Sequence, residues 1–224
     1  MIKSHNFGFN HIFINSFPDG STNKEYDNKG SNKLTLVLLH GTGGNEKDLI
    51  FLGKKIEPNA SILSPRGKVL ENNMPRFFRR LSEGVFDIED LKIRSHELAD
   101  FIQKCSFHYK FNLEKTIAIG FSNGANIAVS MLFLRPKVLQ GAILFRAMVP
   151  FIPDSLPNLL NKKILLSAGL QDPIVSRNET ENLYRLFQKT NAITTLKWQS
   201  SSHNLIQDDI LVAKSWISNN FPTK

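Results

Sequence analysis

Ser122 lies in Gly120-Phe121-Ser122-Asn123-Gly124, Asp172 in Gly169-Leu170-Gln171-Asp172-Pro173, and His203 in Ser200-Ser201-Ser202-His203-Asn204. Together these residue types can carry out nucleophilic catalysis. A serine hydroxyl is a weak nucleophile at neutral pH. It needs a base within hydrogen-bond reach and a third group that orients the base. It also needs donors for the oxyanion that forms when it attacks a carbonyl. A fourth stretch, His40-Gly41-Thr42-Gly43-Gly44-Asn45, is a Gly-rich turn able to aim backbone N–H groups at an anion. Taken singly, each feature has a plainer reading: a tight turn with a capping serine, an Asp-Pro turn, a surface-loop histidine.

The elements around these residues decide between the readings. A strand is expected at 9–15, and the polar stretch 18–33 reads as a long exposed connection. Residues 33–39 form a continuous apolar run, the mark of a strand covered on both faces. A helix is expected at 46–55, a short strand at 60–63 ended by Pro65 and Gly67, and a helix at 89–107 with Leu91, Leu98, Phe101, Ile102 and Cys105 at helical spacing. Then come a strand at 116–120, a helix at 123–133, strands at 138–145 and 163–168, a helix at 177–190, a strand at 194–199 and a closing helix at 205–219. This alternation predicts an α/β fold, one domain over 1–224, with a mostly parallel central sheet and helices on both faces. Ligands of such sheets bind beyond the carboxyl ends of the strands.

Ser122, Asp172 and His203 all fall at such ends. A G-x-S-x-G turn between a strand and a helix presents its serine in a strained conformation. In the α/β-hydrolase arrangement the acid and the histidine follow it in that order, on loops after later strands. The three residues meet the order and the context. His203 is then the general base, and Asp172 holds its tautomer and stabilises the imidazolium. In the same arrangement the backbone N–H groups of Thr42 and Asn123 form the oxyanion hole. The other histidines compete poorly. His5 and His11 precede the sheet core, His96 and His108 lie in or at the end of the helix at 89–107, and His40 belongs to the Gly-rich turn.

Other chemistries lack their signatures. There is no G-x-x-x-x-G-K-[ST], no G-x-G-x-x-G and no H-E-x-x-H or Cys/His cluster, so neither a nucleotide cofactor nor a metal is expected. The net charge of +8 is scattered; the longest basic clusters are pairs such as Lys54-Lys55 and Arg79-Arg80, with no nucleic-acid motif. Nucleic-acid binding is therefore not expected. The apolar runs are too short to span a bilayer. The N-terminus lacks a secretory pattern, and the lone Cys105 cannot form an internal disulfide, so a cytoplasmic protein without a membrane anchor is expected. Cys105 sits on the apolar side of its helix and reads as core.

Six blocks carry a wider resemblance: LLHGTGGNEKDL (38–49), MPRFFRRLSEGVFDIEDL (74–91), GFSNGANIA (120–128), FRAMVPF (145–151), GLQDPIV (169–175) and HNL (203–205). In combination they resemble the phospholipase/carboxylesterase family of α/β-hydrolases, within the bacterial branch that includes hydroquinone- and quinone-response hydrolases. The resemblance implies an α/β-hydrolase fold without a large lid domain and a serine carboxylesterase-like hydrolase with the triad Ser122, Asp172 and His203. It implies no cofactor. It also implies acyl esters, lysophospholipids or acyl thioesters as substrates, and makes a homodimer a candidate assembly. Two positions depart from the family's pattern: Ser202 stands where a glycine usually precedes the histidine, and Ser176 where a proline commonly follows Asp-Pro-x-Val.

The connection 146–162 is too short for a helical lid, so an open site for small, soluble esters is expected. Phe77, Phe78 and Phe86 are candidates to line it, as are Met148 and Phe151, although phenylalanines in such places also serve as core. A binding or sensing module on the same fold is the alternative of a different class. Retention of all three triad residues and both oxyanion loops weighs against it.

Overall fold

The structure is a computed structural model that describes residues 7–16, 33–82 and 84–222. His5, and the polar stretch 18–33 apart from Lys33, lie outside the described residues. In chain order the elements are β1 (His11–Ile14), β2 (Thr35–Leu39), α1 (Ile50–Ile56), β3 (Ser61–Pro65), β4 (Val69–Glu71), β5 (Met74–Arg76), β6 (Arg80–Ser82), β7 (Val85–Phe86), α2 (Ile88–Tyr109), β8 (Thr116–Phe121), α3 (Asn123–Leu134), β9 (Gly141–Phe145), β10 (Lys163–Gly169), α4 (Arg177–Gln188), β11 (Ile193–Gln199) and α5 (Gln207–Asn220). The large sheet has the order β1-β3-β2-β8-β9-β10-β11. β1 pairs antiparallel with β3, and the remaining pairings in this sheet are parallel.

Strand alternation divides the core in two. Val37, Leu39, Ala118, Ala142, Leu144, Ile164 and Leu166 pack with α2, α3 and α4 through Leu98, Ile102, Val129, Leu132, Leu183 and Phe187. Their sequence neighbours Leu36, Leu38, Ile117, Ile119, Ile143, Phe145 and Leu165 pack on the other face with Leu52 and Ile56 of α1 and with Ala213, Trp216 and Ile217 of α5. Helices on both faces are why the strands read as unbroken apolar runs. Each large side chain so buried contributes roughly 1.5–3 kcal/mol of transfer free energy.

Two element starts differ from expectation by three residues or more, for local reasons. α1 starts at Ile50 rather than 46 because Asn45 competes for the backbone: its Oδ1 accepts from the Lys47 amide at 2.9 Å, and turns fill 46–49. The strand expected from 138 starts at Gly141, since the Val138 amide donates to the Arg135 carbonyl in a turn. Between β3 and α2, where sequence reading assigns no element, the chain holds two small hairpins. In β4–β5 the loop is Asn72-Asn73, both at positive φ (51° and 61°), the backbone of a two-residue hairpin turn that asparagine tolerates. In β6–β7 the turn contains Gly84 at φ 74°.

Candidate active site

β8 ends at the serine. Ser122 has φ 51° and ψ −113°, a strained conformation between strand and α3. Its amide donates to the Phe145 carbonyl at 2.9 Å, and its carbonyl accepts from the Asn126 amide at 2.9 Å, so both neighbouring elements hold the turn. The flanking glycines have a steric cause. A Cβ at Gly124 would lie 2.0 Å from the Leu39 carbonyl oxygen, and one at Gly120 would lie 2.6 Å from the Ala125 Cα. The backbone of β2 and α3 comes too close for any side chain there.

The three sequence-predicted residues converge. His203 Nε2 lies 2.9 Å from Ser122 Oγ, and His203 Nδ1 lies 2.8 Å from Asp172 Oδ2. The other carboxylate oxygen, Oδ1, accepts from the amides of Ile174 (2.8 Å) and Val175 (3.0 Å). Asp172 is thus fixed by the turn that follows β10, and its side chain is buried while that of His203 is partly open. The carboxylate requires the Nδ1–H tautomer, which leaves the Nε2 lone pair facing the serine hydroxyl.

A buried ion pair that sequence reasoning missed holds the histidine loop. Arg146, just after β9, and Asp209, in the first turn of α5, are both fully buried and joined through Arg146 Nη2 and Nη1 at 2.7 and 2.9 Å. The same guanidinium donates to the carbonyls of Ser202 (3.2 Å) and Asn204 (2.7 Å), which flank His203, and to Ser201 Oγ (2.9 Å). Asp209 also accepts from Ser167 Oγ and from the Ile206 amide. Every donor and acceptor of the pair that faces the loop is therefore used. Ser202 lies outside the left-handed region, so the usual glycine is not required there. Ser176 caps α4, accepting from the Glu179 amide at 3.2 Å.

The Gly-rich turn is clamped from the β4–β5 side. The Gly43 amide donates to the Pro75 carbonyl at 2.9 Å, and Arg76 Nη1 donates to Thr42 Oγ1 at 2.6 Å. His40 is buried beneath; its Nδ1–H donates to the Gly41 carbonyl (2.7 Å) and its Nε2 accepts from the Gly67 amide (2.9 Å). Burial holds the His40 imidazole below its ordinary pKa, against the pull of the Gly41 carbonyl and of Asp48 and Glu46. From α3, Asn123 Oδ1 accepts from the Phe77 amide and Asn126 Oδ1 from the Met148 amide, each at 2.8 Å. The first turn of α3 thereby fixes both walls of the cleft.

That cleft has a volume of about 220 Å³ and brings together Thr42, Ser122, Asn123 and His203. Of the expected lining residues, Phe86 and Met148 line it. Phe77 and Phe78 do not: they are buried in the core, Phe77 against the His40 ring and Phe78 edge-on to Phe86. Phe151 packs against Phe133 and the core on the α2–α4 side and is not part of the cleft lining. The lining that sequence reasoning missed is Arg76, Arg80, Gly84, Phe121, Asn126 and Ile174. A larger cavity, about 650 Å³, lies at the opposite ends of the strands, beside Leu34, Lys115, Gln140 and Lys163, away from the serine. Cys105 is buried, its thiol pushed up to about 12 by desolvation, which suits a core residue.

Comparison with known proteins agrees with this architecture. A model of the Phospholipase/Carboxylesterase family matches residues 26–221. "Putative hydrolase MhqD" of Bacillus subtilis (strain 168) is 48% identical over 188 residues, covering 84% of this chain and 94% of that protein. The crystal structure of the Bacillus cereus carboxylesterase superposes with a TM-score of 0.88 at 44% identity over 96% of each chain. A structure of YahD with malic acid superposes at 0.83 with 27% identity, over 95% of this chain and 99% of that one. The mostly parallel sheet flanked by helices is the α/β-hydrolase fold, and the chain is a hydrolase that belongs to the phospholipase/carboxylesterase family.

Proposed function

We propose that this hydrolase cleaves small carboxylic esters through an acyl-enzyme on Ser122. The observation that carries the reading is the continuous chain from Ser122 Oγ through His203 to an Asp172 carboxylate whose second oxygen is saturated by two amides. As Ser122 Oγ attacks the ester carbonyl, its proton passes to His203 Nε2. Asp172 stabilises the resulting imidazolium, which then protonates the departing alkoxide. The tetrahedral oxyanion is met by the amides of Thr42 and Asn123; each such donor is worth about 10²- to 10³-fold in rate. Water activated by the same histidine then releases the acid and restores the serine.

The small size of the substrate is supported by the 220 Å³ cleft and by the 146–162 connection, which contains no helix. The test is kcat/KM for p-nitrophenyl esters of rising acyl length, alongside lysophospholipids and acyl thioesters, in the wild type and in Ser122→Ala. Short esters should be preferred, and Ser122→Ala should lose about 10⁴-fold or more. A preference for long chains or for thioesters would contradict the substrate class. Turnover that survives Ser122→Ala would contradict the nucleophile.

A further inference from the structure

The cleft beside Ser122 is edged by two guanidinium groups, Arg76 and Arg80, and among the described residues no carboxylate lines it. One acid, Glu71, sits behind them and is shared: its Oε1 accepts from Arg80 Nε at 2.7 Å, and its Oε2 lies 3.3 Å from Arg76 Nε. Among the described residues, two cations that line the cleft thus share one carboxylate. Arg76 is 3% exposed, which is a costly place for a charge that has only part of a counter-ion. Its Nε–H donates to the Phe78 carbonyl and its Nη1 to Thr42 Oγ1, which fixes the plane of the guanidinium next to the Gly-rich turn. Arg80 is more open, with a side-chain exposure of 27%. It engages Glu71 through Nε alone, and among the described residues its Nη groups have no acceptor. A guanidinium has five N–H donors in a planar fork that matches a carboxylate edge. In Arg80, a cleft-lining residue, the Nη half of that fork is the part left open.

We infer that Arg76 and Arg80 form an anion subsite, and that the ester this enzyme prefers carries a free carboxylate within reach of the reacting carbonyl. This rests on the acyl-enzyme reading above and narrows it. The substrate class is the monoester of a short dicarboxylic acid, or the ester of a hydroxy or phenolic acid, according to whether the carboxylate lies on the acyl or on the leaving side. Arg80 supplies the more accessible fork. Arg76, held rigid, supplies a fixed positive potential that also reaches the Thr42 loop.

Two matched pairs test the subsite and separate its two sides: monomethyl glutarate against dimethyl glutarate, and 4-acetoxybenzoate against its methyl ester. The expected result is a kcat/KM ratio of about tenfold or more in favour of the anionic member of one pair, the size expected for a charge-assisted hydrogen bond. Arg80→Gln should bring that ratio close to one, and added salt should shrink it in the wild type. Arg79→Gln serves as the control, since Arg79 is exposed and pairs with Asp87 away from the cleft. It should keep the wild-type ratio. Because each ratio is internal to one protein, partial loss of fold does not imitate the effect. Ratios near one for both pairs, or a preference that survives Arg80→Gln, overturn the subsite. A fluorophosphonate distinguishes the two layers. If Ser122 is labelled while the ratios are flat, the anion subsite alone fails; if Ser122 is not labelled, the acyl-enzyme reading fails and the subsite with it.

Discussion

Asp172 differs from an ordinary loop carboxylate in having both oxygens committed, one to His203 and one to two backbone amides. An amide side chain in its place could present either its oxygen or its NH2 group to His203. The two amides fix which: they need an acceptor, so Asp172→Asn turns its NH2 group toward Nδ1. That favours the opposite imidazole tautomer, with the proton on Nε2 facing the serine. Asp172→Asn should therefore lower kcat by about 10⁴-fold while leaving KM and the thermal midpoint near their wild-type values. Steady-state kinetics and a melting curve on the same preparation check it. At this scale the sequence was highly legible. The convergence of Ser122, Asp172 and His203 was readable because each stands at the end of a strand that its apolar run announces. The aromatic residues were less so. Phe77 and Phe78 look the same in sequence as Phe86, and only the turn of the backbone through 77–79 sends the first two inward.

The loop that carries His203 depends on an element contact that no local pattern reveals. Arg146 and Asp209 are separated by 63 residues, and a charged residue after a strand ordinarily reads as surface. In the fold they meet beneath α5, and the arginine holds the carbonyls on either side of the histidine. Removing one partner leaves the other as an uncompensated buried charge, so Arg146→Met should cost about 3–5 kcal/mol in urea unfolding. Asp209→Asn should cost less, because it removes the negative charge but keeps a polar group of the same shape at the arginine. Equal stability of wild type and Arg146→Met would show that the pair does not hold the loop. The paired hairpins between β3 and α2 are a different kind of omission. Their signal was present, since Asn72-Asn73 is a pair that tolerates positive φ, but strands of two or three residues are too short to show alternation.

At the scale of the whole molecule, the sheet gathers its chemistry at one end because every parallel strand of the core leaves a loop there: the Gly-rich turn after β2, the serine after β8, Arg146 after β9, Asp172 after β10 and His203 after β11. The alternation of apolar strands and amphipathic helices made this arrangement legible from sequence. The charge of the cleft was not, because Arg76 and Arg80 acquire their meaning from the hairpins. The buried His40 ties the Gly-rich turn to the β3–β4 connection, and its neutral form is the one the fold accepts. Its folded pKa lies below the unfolded value of 6.5, so an unfolded chain takes up the proton first as pH falls. Its contribution is complete above about pH 6.5 and is lost on acidification through the folded value. Urea unfolding across this range should show stability falling with acid, and His40→Gln, though less stable overall, should show a shallower fall. A slope unchanged by the substitution would remove His40 as the cause. The central claim, that Ser122 is a nucleophile activated by His203, is tested most directly by reaction with a fluorophosphonate followed by mass spectrometry of the digested protein. The account predicts one adduct, on the peptide that contains Ser122, absent in Ser122→Ala and strongly slowed in His203→Ala. An adduct on another residue, or labelling that persists in Ser122→Ala, would contradict it.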